Sequence, residues 1–150
     1  MVTATIRVSH RGLALLTALL SMLIRTLAPG WMLILGLKLL IYPIICVAHW
    51  IIHFFSLPPP VSKFQARLAT TSNALLIAAF AFQIDFGDGP CGMMPITTIF
   101  WWLGLASDCP FKISERTVPW IDALLYVPVI VTWLLLVVAG LHERTKRGSG

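Results

Sequence analysis

The sequence predicts an all-α integral membrane protein, a small helical bundle of about four spans with one further segment that is re-entrant or interfacial. Three observations lead there. Hydrophobic residues make up 58% of the 150 residues and charged residues only 11%, whereas soluble domains are about a quarter charged. Mean hydropathy is +0.88. The apolar residues fall into runs separated by proline and glycine, and lysine and arginine gather at alternate run ends, the pattern of helices threaded through a bilayer. At 16.6 kDa the chain has no room for a large soluble catalytic domain. Residues 1–147 are read as a single membrane domain and residues 148–150, Gly148-Ser149-Gly150, as an appended or flexible tail.

Segment A, Gly12 to Ala28, is leucine-rich and ends at Pro29-Gly30; it would be about 26 Å long. That is short for a span, so crossing and lying half-inserted at the interface are both open. Arg7, His10 and Arg11 precede it, and no small-x-small cleavage site follows, so it is taken as a retained helix rather than a signal peptide. Segment B, Trp31 to Leu57, is long enough to cross with tilt or with a kink at Pro43, and Pro58-Pro59-Pro60 stops it. Segment C runs from Leu68 to Ile84, and segment E, Val118 to Leu141, is the most continuous apolar stretch. Segment D, Pro95 to Ala106, is too short to cross.

Arg7 and Arg11 before A, Lys63 and Arg67 between B and C, and Arg144, Lys146 and Arg147 after E assign those regions to the cytoplasmic side. Four spans place both termini there, in a bacterial inner membrane. The formal charge of +5 is thereby explained by topology, and no nucleic acid is expected. Trp101 and Trp102 in D, with the other tryptophans near segment ends, are read as interface anchors.

Several residues carry candidate chemistry. Lys38 and Asp122 enter segments B and E from the same side and are expected to pair across the bundle, or to snorkel separately. Arg25, near the outer end of A, would meet Asp85, Asp88 or acidic headgroups. His49 and His53 share a helix face four residues apart, and His142 ends segment E at the same level. Imidazoles on two helices could sandwich a haem b, with His53 and His142 the better-placed ligands. No cysteine or acidic neighbour completes a zinc set. Cys91 and Cys109 bracket D and are expected to form a disulfide on the oxidising side, whereas Cys46 lies mid-helix. The chain lacks Cys-x-x-Cys, a calcium-loop ligand series, a serine-triad signature and a phosphate-binding glycine loop.

This inventory favours a structural or assembly subunit of a larger membrane-embedded complex, in contact with lipid and with other integral membrane subunits, and without independent catalysis. Ala14-xxx-Ala18 and Ala74-xxx-Ala78 offer close helix contacts. The alternatives are a haem b electron-transfer subunit using His53 and His142, and a small transporter or channel with Lys38 and Asp122 in a polar path.

Overall fold

Ser9 starts the first helix, its Oγ accepting from the Gly12 amide at 3.1 Å and its carbonyl from Leu13 at 2.9 Å. Helix α1 spans His10–Thr26, two residues earlier than the apolar run alone suggests. Helix α2 spans Ile41–Ser56 and follows Leu40, whose φ of 57° is left-handed. Pro43 therefore sits in the first turn of α2, where its missing N–H costs nothing, and produces no mid-helix kink. Helix α3 spans Lys63–Phe82, capped by Ser62 and Gln65 in a reciprocal capping box. Helix α4 spans Val118–Gly148 and carries Pro128 inside it. The structure, a computed structural model, describes residues 9–26, 40–57, 59–83, 99–100, 103–105 and 118–148.

The four helices form an all-α bundle. α1 packs on α2 and α3, and α4 packs on the same two helices, so the consecutive helices α2 and α3 stand on the diagonal. Ala18 opposite Cys46 and Arg11 opposite Phe54 make α1 and α2 antiparallel. Trp133 beside His49 and Gly140 against Ser56 make α2 and α4 parallel. The bundle is thus two antiparallel hairpins, α1–α2 and α3–α4, set side by side.

The interior combines an apolar core, in which Leu57, Leu76, Phe80, Val129 and Leu136 are fully buried, with a row of buried polar residues, while many large apolar side chains face outward. The inward face of α1 is Ala14, Thr17, Ala18, Ser21 and Arg25, while Leu15, Leu16, Leu19, Leu20 and Leu23 point outward. α2 buries Tyr42, Cys46, His49, His53 and Ser56 and exposes Ile44, Val47, Ile51 and Phe55. α4 exposes Leu124, Leu134, Leu135 and Val138 and buries Val129, Thr132 and Leu136. Small inward residues let the helices approach: Ala14, Ala69 and Ala79 are fully buried. Ala14 and Ala18 thus serve as expected, but Ala74 is exposed, and α3 packs through Ala69 and Ala79 instead.

One expectation is met in part and another needs correction. Among the described residues only α4 is long and apolar enough to cross a bilayer by length and composition, where four such spans were expected. α1 and α2 have 17 and 16 residues, and α3 lowers its apolar content with the inward-facing Gln65, Ser72 and Asn73. The expected disulfide does not stand. No disulfide is found among the described residues, Cys46 is free and buried, and Cys91 and Cys109 lie outside them. Its premise, an ordered return of D bringing both cysteines together, has no support there.

Of segment D, Ile99 and Phe100 are helical and residues 103–105 form a turn. Leu105 donates to the Phe100 carbonyl and Gly104 has a φ of 68°, the six-to-one bond and left-handed residue that end a helix.

Candidate functional site

The inward faces meet in a polar seam that runs the length of the bundle. Its basal end is the α2–α3 turn. There the Ser62 amide donates to Gln65 Oε1, Gln65 returns its own amide to Ser62 Oγ, and Gln65 Nε2 reaches the Ser56 carbonyl at 3.4 Å. Arg144 donates to the Phe55 carbonyl, and Arg147 to those of Pro59 and Pro60 at 2.7 and 3.0 Å. Arg144 thus binds a carbonyl that the end of α2 would otherwise leave open, and Arg147 fastens the turn after it. Arg11 lies 4.4 Å over the Phe54 ring.

The middle layer is built on His49. The Trp133 indole N–H donates to His49 Nδ1 at 2.9 Å. An indole can only donate, so His49 Nδ1 carries no proton and the neutral ring holds its proton on Nε2. That nitrogen then donates to Asn73 Oδ1 at 2.8 Å. One imidazole thereby ties α2 to α3 across the diagonal and to α4 alongside. His53 stacks beside it, ring centroids 4.3 Å apart, with Nε2 3.3 Å from Ser72 Oγ. The Cys46 thiol donates to the Ala18 carbonyl at 3.5 Å. Ser21 Oγ, Asn73 Nδ2 and His53 Nδ1 are buried without a hydrogen-bond partner.

The outer layer links all four helices. Arg25 is fully buried and its Nε donates to the Tyr42 hydroxyl at 3.3 Å, with the guanidinium 5.4 Å from the ring centroid. Tyr42 packs on Phe80 at 5.5 Å and Phe80 on Tyr126 at 6.4 Å. The Tyr126 hydroxyl donates to Gln83 Oε1 at 2.8 Å. Asp122, half-buried one turn before Tyr126, lies with Arg25 within electrostatic reach of that hydroxyl. Arg25 is consequently an interior residue, not the interfacial anchor expected from its place near a segment end. Tyr42 supplies an acceptor and a π face inside the bundle.

The structure brings His49 and His53 together but leaves His142 exposed on α4. His49 has both ring nitrogens engaged. With His53 buried and His142 exposed, the two do not share an interior site of the kind that bis-histidine haem ligation uses. No group of three or more His, Cys, Asp or Glu residues with metal-binding geometry occurs among the described residues. Lys38, Trp101 and Trp102 lie outside the described residues, as do Asp85 and Asp88. Trp133, Asn73, Ser72 and Gln65 were not singled out by the sequence as seam residues. For Gln65 a signal was present in Ser62-x-x-Gln65, a capping-box spacing.

Comparison with known proteins yields no match to a family model, to a curated protein or to a solved structure.

Proposed function

We propose that this chain is a membrane-embedded, non-catalytic subunit whose four helices lie in the bilayer, with both termini on the cytoplasmic side, and pack against other integral membrane proteins. One observation carries the reading: leucines such as Leu19 are 61% exposed while Ser21, two residues on, is 0% exposed. In water that arrangement forfeits the hydrophobic drive to fold. In hydrocarbon the outward leucines are solvated, and inward polar groups hold the helices together.

The mutual engagement within the seam supports a structural role over transport. His49, Gln65 and Tyr126 use their polar atoms on other helices or on the turn. Thr132, buried beside the seam, instead satisfies its hydroxyl on its own helix, donating to the Val129 carbonyl at 2.8 Å. The exposed Phe100, Leu103 and Leu105 of segment D add apolar contact surface beyond the bundle.

The test is extraction and isolation. The tagged chain should stay with membranes through an alkaline carbonate wash, then elute from mild detergent with a stoichiometric integral membrane partner. Release by carbonate would remove the embedded reading; a stable monomer without a partner would remove the assembly role.

A further inference from the structure

Resting on that embedded reading, we propose that the cleft between α2 and α4 at the basic end binds one anionic phospholipid, an acyl chain between the helices and the phosphate on Arg144. The cleft measures about 230 Å³ and is walled by Ile51, Phe55, Val137 and Leu141, with Gly140 at its floor and Arg144 among its lining residues. It exists because of Gly140. A Cβ there would lie 2.7 Å from the Ser56 carbonyl oxygen, so the backbones pinch together and no side chain fills the space beside them. The walls are open and apolar, Phe55 being 58% and Leu141 57% exposed. An alkyl chain matches that lining.

The headgroup is assigned by charge. Arg11, Lys63, Arg67, Arg144, Lys146 and Arg147 all lie at this end of the bundle, where α1 and α3 start and α2 and α4 finish. Glu143 is the acidic residue in the last turns of α4. Arg144 and Arg147 differ in what they have left to offer. Arg147 commits Nη1 and Nη2 to the proline carbonyls, whereas Arg144 commits only Nη2. The bond to Phe55 orients Arg144 beside the cleft and leaves Nε and Nη1 to donate to a phosphate. The surrounding positive potential then favours a headgroup with net negative charge over a zwitterion.

Native mass spectrometry of the delipidated full chain tests this, using phosphatidylglycerol and phosphatidylcholine with identical acyl chains. One phosphatidylglycerol should be retained at least fivefold more strongly than phosphatidylcholine. Arg144→Gln should lower phosphatidylglycerol affinity about tenfold, as loss of one charge-assisted contact does. Val137→Trp, made at a partly exposed wall position that leaves the Arg144 bond in place, should block the cleft and abolish retention. Arg67→Gln, on α3, removes only a share of the surrounding potential and should lower retention far less than Arg144→Gln does. Equal retention of the two lipids overturns the site, as does full retention by both Arg144→Gln and Val137→Trp, or an Arg67→Gln loss as large as that of Arg144→Gln. A chain that survives carbonate washing yet fails these tests overturns the lipid site alone; one released by carbonate overturns the embedded reading as well.

Discussion

At His49, donor and acceptor chemistry leaves one protonation pattern. Trp133 fixes a bare Nδ1 and Asn73 receives the Nε2 proton. Nitrogen-15 NMR of the detergent-solubilised chain should therefore report the Nε2–H tautomer for His49, and an Nδ1–H signal would contradict the hydrogen-bond assignment. Trp133→Phe keeps the ring packing but orphans Nδ1. It should lower stability by roughly 0.5–2 kcal/mol, read as a drop in thermal midpoint, while His142→Ala at its exposed site should leave the midpoint unchanged. The pairing of His49 with His53 on one face was legible from their four-residue spacing. Their partners were not, because Asn73 and Trp133 meet them only through helix adjacency, which spacing along one helix does not encode. The role of Trp133 was hidden for the same reason: an indole near a bilayer and an indole donating inside a bundle look alike in sequence.

Helix α1 reverses the usual consequence of substituting leucine and serine. Ser21→Leu inserts bulk at a fully buried position and should cost about 1–3 kcal/mol through overpacking. Leu19→Ala, on the outward face, should stay within about 0.5 kcal/mol. Thermal unfolding in detergent compares them, and a larger loss at Leu19 would invert the assigned faces. Gly140→Ala should also cost about 1–3 kcal/mol, since its Cβ meets the backbone of Ser56 rather than a movable side chain. Gly148→Ala, with nothing within 4 Å, is the matched control. The existence of these helices was plain from the apolar runs, but their ends were not. α3 begins at Lys63, five residues before Leu68, because a capping box outranks the hydropathy that located segment C. The seam itself was readable in α2, where Tyr42, Cys46, His49, His53 and Ser56 recur at alternating intervals of four and three. Polar residues in a hydrophobic helix hide that stripe from any search for apolar periodicity.

For the whole molecule, the up-and-down path gathers the ends carrying Arg11, Lys63 and Arg144 at one pole. The charge pattern along the sequence already implied this arrangement. Single cysteines introduced at Ser9, Phe64 and Thr145 in a background with Cys46, Cys91 and Cys109 all replaced by alanine should all react with an impermeant maleimide from the same side of sealed vesicles. Labelling of any one from the opposite side would break the four-span topology. The four bundle helices among the described residues were legible in this way, whereas their lateral order was not, since the same charges suit α2 beside α3 or across from it.

The diagonal placement of α2 and α3 has a temporal meaning. Helices leave the ribosome in sequence, yet the α1–α2 hairpin completes only its own contacts, such as Cys46 with Ala18 and Arg25 with Tyr42. Both imidazoles of α2 wait for Asn73 and Ser72 on the third helix, and His49 waits for Trp133 on the fourth. Nascent chains stalled after α2 should consequently crosslink through position 49 to the insertion machinery, and chains released after α4 should not. The histidine layer is thus complete only once the last helix is in place, since Trp133 supplies its final hydrogen bond.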